Sequence, residues 1–360
     1  MIGKYSDTMT FEYIMSTVLA AVPNTVDKRE GSIIYDALAP AVAEFVKLYI
    51  ELDVIMDETF VDTASMQYLK LRAKERGVPI KSATFAVVEG TFKPADLEIE
   101  TGKRFNCGAV NYYVSEYVSA GVYQLVCETA GTDGNIYSGT LIPIDYIDGL
   151  QTANITDCLI PGENADTADT LRVRYYESIN AKAYGGNIAD YKQKVNEIDG
   201  VGGVKVYPVW NGGGTVKLTI INSDFGVPSS TLIDKVQEII DPDPQGTGIG
   251  VAPIGHTVTV IGVQAYDIAI TSNITFQDGW SYASAAAVLK NKVDEYFTEL
   301  SKSWADSKYI IVRISQIESR LLDLDSIVLD IGGTRLNGQT ANITLGSDYI
   351  PNCTGVGEAV

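Results

Sequence analysis

Hydrophobic residues recur at helical spacing through the first 80 residues of the chain. A run from Phe11 to Val22, ended by Pro23, predicts an amphipathic helix, because its apolar positions lie three and four residues apart. A later run from Ser65 to Arg76, ended by Gly77, predicts another helix. The N-terminal region is therefore expected to be helical.

The segment between these two runs has a heptad-like seam. Steps of four and three residues connect its members, which are Ile34, Leu38, Ala41, Phe45, Leu48, Leu52 and Ile55. This spacing is typical of a coiled-coil interface. Pro40 lies inside the segment, so we expect the helix either to kink there or to restart with Pro40 in its first turn.

A second apolar stripe runs beside the seam and comprises Val42, Val46, Tyr49 and Met56. A helix with two apolar stripes buries surface against more than one neighbour. It could be the central helix of its own domain, but little else nearby would cover both stripes, so we favour a bundle shared between chains. The residues expected at a partner interface are Ile34, Leu38, Phe45, Leu48, Leu52 and Ile55.

Between residues 83 and 162 the pattern changes to short β-branched and aromatic runs separated by Gly, Asn and Asp. The clearest runs are 87–92, 112–118 and 122–127, and the turn-rich stretch 129–135 follows the last of them. Short runs bounded by turn residues predict strands. We therefore expect a small β domain here.

Helices and strands are mixed in the remaining sequence. Helices are predicted near Asp169–Lys182, from an N-cap at Asn187 to a stop at Gly200, at 230–240 and at 282–300, and strands at 204–209, 215–221, 257–263 and 268–276. Tyr184 to Asn187 breaks the first helix, and 211–214 is expected to be a hairpin turn. A helix, a hairpin and a tail complete the chain.

One pattern in this region recurs at a constant offset of 126 residues. Ile188, Tyr191, Val195, Ile198, Asp199 and Val201 correspond to Ile314, Ile317, Leu321, Leu324, Asp325 and Ile327. Each set predicts a helix, an acidic stop and a strand, followed by a turn and a second strand. Any short helix before an antiparallel pair would align similarly, but we favour two related α+β units of ferredoxin-like type.

Together these patterns predict an α+β, multidomain protein. At 360 residues the chain exceeds one compact core, and its 46% hydrophobic content is sufficient for several. The expected parts are an N-terminal helical bundle segment at 1–82, a small β domain at 83–162, and ferredoxin-like α+β units at 163–264 and 265–360, the last with a C-terminal hairpin.

The chain is strongly acidic, with a net charge of −19. A field of that sign repels nucleic-acid phosphates and anionic lipids, so we expect neither nucleic-acid nor membrane binding. The 21 tyrosines against 9 Phe and 3 Trp fit half-buried strand faces and hydrated interfaces equally well.

Cysteine usage and the N-terminus indicate a protein made and kept in the cytoplasm. The four cysteines, Cys107, Cys127, Cys158 and Cys353, lack metal-ligand spacing and are expected to be buried thiols. No signal sequence is predicted at Met1–Phe11, and no apolar run reaches the roughly 18 residues of a membrane helix.

Few residues could support catalysis. His256 is the single histidine, which excludes a two-His metal site, and we expect it to be a strand-edge residue. Asp241 and Asp243 alternate with prolines and predict a rigid connector in preference to a calcium site. The glycines at 246–250 and 212–214 lack the surroundings of a dinucleotide or phosphate loop.

We therefore expect no catalytic, cofactor-binding or metal-binding residues, and no enzyme. A hydrolase that uses an acidic residue pair, attached to a tail or cell surface, is the alternative. A β-rich module that binds a small ligand is a third hypothesis.

Several segments, taken in order, resemble the baseplate J-like family of contractile tails. They are Arg29–Pro40, Asp62–Leu69, Arg76–Lys81, Ala86–Phe92, Ala130–Asn135, Asp169–Arg174, Gly185–Tyr191, Leu336–Gly338, Asn342–Ile343 and Tyr349–Pro351. Each motif is loose, and their order along nearly the whole chain is what indicates the family. Ser65 and Lys81 depart mildly from the family pattern, which often has Gly and Arg there.

The resemblance implies a wedge protein in the baseplate of a phage, prophage or tailocin-type bacteriocin, made in the bacterial cytoplasm and assembled into the particle. Its implied partners are a second wedge protein and another copy of itself, joined through a helical bundle into a ring around the hub and spike. Neighbouring wedges, contacted through the α+β units, and hub or sheath-initiating proteins are further implied partners. The resemblance implies no catalytic residues.

Overall fold

The computed structural model of the chain describes residues 3–180 and 185–359. These residues form two compact units. The first combines residues 3–81 with 166–180, and the second combines 82–165 with 185–359. The predicted helix end at Lys182 and the start of the predicted break at Tyr184 lie outside the described residues.

The first unit is helical, with α1 at Phe11–Ala21, α2 at Ile33–Thr59, α3 at Met66–Glu75 and α4 at Ala168–Asn180. Helices α1 and α2 begin where the sequence provides caps, since the hydroxyls of Thr10 and Ser32 accept hydrogen bonds from the amides of Tyr13 and Tyr35. Pro40 lies inside α2, a helix of 27 residues that begins seven residues before the proline and continues past it. The helix therefore does not restart at the proline.

Helix α4 groups with the N-terminal helices, although the sequence predicted it in the α+β unit at 163–264. Leu171 of α4 is fully buried in a cluster with Leu69 and Ala73 of α3. The guanidinium of Arg172 donates to the carbonyl oxygens of Val61 (2.9 Å) and Ala64 (2.6 Å). These contacts join segments about a hundred residues apart, a separation that local patterns do not encode.

The β domain of the second unit is built from seven strands. They are β1 Phe85–Lys93, β2 Arg104–Cys107, β3 Val110–Ser119, β4 Val122–Ala130, β5 Gly139–Thr140, β6 Ile142–Pro143 and β7 Thr152–Ile160. Their order in the sheet is β5-β7-β1-β4-β3-β2-β6. The two end strands, β5 and β6, belong to one segment that is interrupted only by the buried Leu141, so the sheet closes on itself as a barrel.

The next part of this unit runs α5 Ile188–Asn196, β8 Val201–Pro208, β9 Thr215–Asn222, α6 Ser230–Ile240 and β10 Thr257–Gly262. The Asn187 side chain caps α5 by accepting from the Asp190 amide at 2.8 Å, as predicted. Strand β9 is central, with β8 antiparallel on one side and β10 parallel on the other. Helix α5 packs on β8, and α6 packs on β10.

The C-terminal part contains β11 Gln264–Phe276, α7 Tyr282–Lys302, β12 Ile311–Val312, α8 Ile314–Leu322, β13 Val328–Leu336, β14 Ile343–Thr344 and β15 Tyr349–Glu358. Strand β11 is central, with β13 antiparallel and β15 parallel to it. The last long strands thus lie on opposite sides of β11 and are not the hairpin that the sequence predicted. Helix α7 packs on β15, and α8 packs on β13.

The α+β, multidomain class is as predicted, and the internal repeat extends over one helix and one strand. Both α5–β8 and α8–β13 end in the antiparallel edge strand of their sheet. The long strand that follows differs between the two copies of the pattern. After β8 it is β9, the central strand of its sheet, whereas after β13 it is β15, an edge strand parallel to β11. Each sheet also has three strands, one fewer than a ferredoxin-like sheet.

Candidate interface and candidate chemical sites

Helix α2 packs inside its own unit through the second apolar stripe. Val42 is almost fully buried, and Val46, Tyr49 and Met56 are half-buried. The Tyr49 ring lies 6.3 Å from that of Tyr5, at a tilt of 36°. The two apolar stripes predicted more than one neighbour for α2. One of these neighbours is the N-terminal segment of the same chain, together with α1.

A carboxylate occupies the stripe position between Tyr49 and Met56. Asp53 is 5% exposed, and its oxygens accept hydrogen bonds from the backbone amides of Tyr5 (2.7 Å) and Ser6 (2.8 Å). Burial acts to raise the pKa of this carboxyl, but the hydrogen bonds and the nearby Lys4 outweigh it and hold the pKa below its usual range. Asp53 thus fastens the N-terminal segment onto α2.

Asp53 is not among the residues predicted at an interface or a chemical site, although its place in the sequence carries a signal. The steps from Val42 through Val46, Tyr49 and Asp53 to Met56 are four, three, four and three residues, so an acid stands at a core-facing position. A charge at such a position needs hydrogen-bond partners, and exposed backbone amides at the start of a nearby helical turn are suitable donors.

The predicted interface residues fall into two groups. Phe45, Leu48, Leu52 and Ile55 are exposed over 50%, 53%, 39% and 60% of their surface. Ile34 and Leu38, nearer the start of the helix, are half-buried. The C-terminal half of α2 therefore presents a row of large apolar side chains one helical turn apart.

The carboxylates and the histidine singled out for chemistry have structural surroundings. Asp241 is 2% exposed, and it accepts from the amides of Gly246 (2.9 Å) and Val258 (2.8 Å), whereas Asp243 is exposed. Nδ1 of His256 lies 2.9 Å from the Tyr191 hydroxyl, at the position preceding β10. Asp241 organises the connector loop, and His256 stands at a strand edge, as predicted.

All four cysteines are buried free thiols. Burial raises the pKa of the Cys158 thiol to about 12 and also raises the pKa values of Cys107, Cys127 and Cys353. Across 3–180 and 185–359, no group of three or more His, Cys, Asp or Glu side chains could hold a metal ion. No helix within the described ranges is long and apolar enough to cross a membrane.

The chain matches two family models. The baseplate J-like central domain matches residues 183–262, and the baseplate J-like protein C-terminal domain matches residues 266–357. In Bacillus subtilis strain 168, the uncharacterized protein YqbT is 38% identical, and the phage-like element PBSX protein XkdT is 36% identical. Each alignment spans 347 residues and 96% of both chains.

A shorter match joins the chain to a phage protein. Baseplate protein gp47 of Escherichia phage Mu is 32% identical over 145 residues, which are 38% of this chain and 39% of the Mu protein.

Proposed function

This chain belongs to the baseplate J-like family, and from that membership we propose that it is a wedge component of the baseplate of a contractile tail. Assembly with a second wedge protein and another copy of this chain places it in a ring around the hub and spike. The particle is a phage, a prophage product or a tailocin-type bacteriocin. The chain is made in the bacterial cytoplasm and functions in the assembled tail.

The single observation that supports this proposal best is the apolar row Phe45, Leu48, Leu52 and Ile55 on α2. The other stripe of the helix is already buried in its own unit, so this row is available to a different chain. Burial of large apolar side chains at four- and three-residue spacing stabilises helical bundles between subunits. We assign this row to the bundle with the second wedge protein and another copy of the chain.

The proposed role is structural and includes no catalytic step. A hydrolase would need two carboxylates that face a cleft. The most buried carboxylates, Asp53 and Asp241, are instead saturated by backbone amides. For a small-ligand module, nothing in the part of the chain that the structure describes identifies a ligand.

Co-expression with the product of the neighbouring tail gene tests the proposal. We expect a stoichiometric complex by light scattering, and density for the chain in the baseplate when purified particles are imaged. A chain that stays monomeric beside its neighbour and is missing from the baseplate would falsify the assignment.

A further inference from the structure

A groove of about 760 Å³ lies on the second unit, among the start of α5, strand β8 and two segments of the C-terminal part. Its lining residues are Ile188, Lys192, Lys205, Val206, Tyr207, Ala305–Tyr309 and Thr344–Ser347. The volume falls within the range of about 300–1,000 Å³ that is typical of ligand clefts. The walls combine aliphatic and tyrosine side chains with polar groups, which suits a short peptide segment.

The groove is basic, although the chain is strongly acidic. Three lysines and one carboxylate, Asp306, line it, whereas the whole chain has a net charge of −19. Nζ of Lys192 lies 3.3 Å from Oδ1 of Asp306. This ion pair is exposed, so it contributes little to the stability of the fold. Lys308 is exposed and has no ion-pair partner in the described part of the chain. We call this site the lysine groove.

Lys205 forms the floor of the lysine groove. Its side chain is buried, with 8% of the residue exposed, and Nζ lies 4.5 Å above the centre of the Trp304 ring. The ammonium has three donors, and one of them binds the carbonyl oxygen of Ser347 at 3.0 Å. Burial lowers the pKa of Lys205, and the nearby Asp348 carboxylate of the same chain opposes this effect. Lys205 therefore adds positive charge to the floor, while Lys192 and Lys308 are the lysines at the groove's surface.

A segment with complementary chemistry lies on the β domain. In residues 142–148, which we call the acidic loop, Ile142, Ile144 and Tyr146 are 59%, 44% and 86% exposed. Asp145 and Asp148 are also exposed. The loop thus presents apolar and acidic side chains side by side, and the hydroxyl of the highly exposed Tyr146 donates to the Asp148 carboxylate at 3.1 Å.

Contacts at both ends hold the acidic loop in place. The preceding residue, Leu141, is buried in the barrel core, and Ile147 packs against that core. The Ile144 amide donates to the carbonyl oxygen of Arg104 at 3.0 Å. The guanidinium of Arg104 donates to both oxygens of Glu128, and Asp145 of the loop lies near enough to help raise the pKa of Arg104. A preorganised loop loses little entropy on binding.

We propose that the lysine groove binds the acidic loop of a second copy of this chain. Tyr146 enters between the aliphatic walls and Tyr309, while Asp145 and Asp148 pair with Lys192 and Lys308. Two copies of a chain with net charge −19 repel each other, so a basic groove facing an acidic loop is a favourable place for them to meet. The groove and the loop are different patches, so the contact is head-to-tail, which builds rings or open chains.

The inference rests on the proposed function, because it names a contact between neighbouring copies in the ring. Charge reversal tests it in the full-length chain. The groove variant is Lys192→Glu with Lys308→Glu, and the loop variant is Asp145→Lys with Asp148→Lys. Two control variants change the net charge equally elsewhere, at Lys70→Glu with Lys74→Glu and at Asp234→Lys with Glu238→Lys.

Self-association of the purified chains is measured by sedimentation over a concentration series. We expect the groove variant and the loop variant each to raise the dissociation constant at least about tenfold, because each loses about one favourable charge pair. The two control variants should keep a dissociation constant near the wild-type value. Mixing the groove variant with the loop variant restores association, because each reversed patch then faces an opposite charge. Added salt weakens the wild-type contact.

A wild-type chain that stays monomeric up to about 1 mM overturns the inference, as does a mixture that fails to associate. It is also overturned if the groove variant self-associates normally but fails to enter particles, because the occupant then belongs to another subunit. These outcomes leave the baseplate assignment intact, since that assignment depends on the presence of the chain in the particle.

Discussion

The Asp53 carboxylate accepts a hydrogen bond from the Tyr5 amide at 2.7 Å, across 48 residues of sequence. The Ser6 amide binds the second oxygen, so one side chain of α2 satisfies two backbone donors of the N-terminal segment. The apolar contact of Tyr5 with Tyr49 lies beside this pair. The N-terminal segment is therefore held on α2 by the Asp53 clamp, by one ring contact and by the exposed ion pair between Lys4 and Asp57.

Replacement of Asp53 with Asn should release the N-terminal segment. We expect the amides of Tyr5 and Ser6 to exchange hydrogen at least about tenfold faster, because a neutral acceptor binds backbone amides more weakly than a carboxylate. Hydrogen exchange read by mass spectrometry measures this. Asp57→Asn, which removes only the exposed pair with Lys4, is the control. Equal protection in both variants would contradict the clamp.

Replacement of Phe45 with Asp should abolish co-purification with the second wedge protein and leave the isolated chain folded. The residue is half-exposed in the isolated chain, so the charge is tolerated there, but in the bundle it would be buried without a partner. Pull-down from co-expressing cells measures the complex, and circular dichroism measures the fold.

Lys47→Asp is the control for Phe45, because it places a negative charge on the side of α2 where Lys47 pairs with Glu44. It changes the net charge by two units and Phe45→Asp changes it by one, so the control is the more severe change in charge. It should bind the partner normally. If the Phe45 variant also enters complete baseplates, the bundle does not use this face of the helix.

Leu171→Ala should destabilise the helical unit by about 2–5 kcal/mol, the usual cost of emptying a buried leucine site. The side chain is fully buried against α3. Trp210, Trp280 and Trp304 all lie in the second unit. Urea unfolding followed by far-UV circular dichroism should therefore show the loss, while the midpoint of the transition followed by tryptophan fluorescence should stay at its wild-type value. Val173→Ala, at an exposed position of α4, should change the free energy of unfolding by less than about 0.5 kcal/mol.

Asp348→Asn should lower the stability of the second unit at neutral pH and flatten its dependence on pH. Burial acts to raise the pKa of Asp348, but hydrogen bonds from Lys217 (2.8 Å), Tyr207 (2.8 Å) and Thr219 (3.0 Å) outweigh it and lower the pKa below 3.8. The value of 3.8 is the pKa of this carboxyl in the unfolded chain. The stabilisation by the carboxylate is complete above that pH and is lost as the pH falls through the lower pKa of the folded state.

We expect the Asp348 variant to lose roughly 1.5–3 kcal/mol at pH 7, the range for hydrogen bonds to a charged group, and to differ less from the wild type at pH 2. Urea unfolding followed by Trp304 fluorescence is a local measurement, since its indole binds the carbonyl oxygen of the adjacent Ser347 at 2.8 Å. Asp278→Asn, at an exposed position, should behave as wild type at both pH values.

The sequence predicted those features that depend on local pattern. Helix α6 spans the predicted residues 230–240. Its apolar periodicity begins just after Ser229, whose side chain caps the helix. The apolar row on α2 follows from the heptad spacing in the same way, and its exposure agrees with a face that is free in the isolated chain. That these residues contact a partner stays a prediction, as do the three boundaries between the four expected parts, apart from the placement of α4.

The features that sequence reasoning missed depend on contacts between distant segments. The attachment of α4 to α3 rests on Leu171 and Arg172, whose local pattern suits any amphipathic helix. Strands β5 and β6 have two residues each, too few for any periodicity, although they determine that the sheet closes. The position of β15 beside β11 is likewise set by packing across the sheet and not by the turn before it.

Closure of the β domain also limits where other chains can add strands. A barrel has no free row of backbone donors and acceptors, so it cannot template the addition of another chain's strand. The two three-stranded sheets do have edges, formed by β8 and β10 and by β13 and β15. Where copies of the chain meet, a strand of one copy can therefore extend a sheet of another only in the C-terminal half of the described residues, both in assembly and in aggregation.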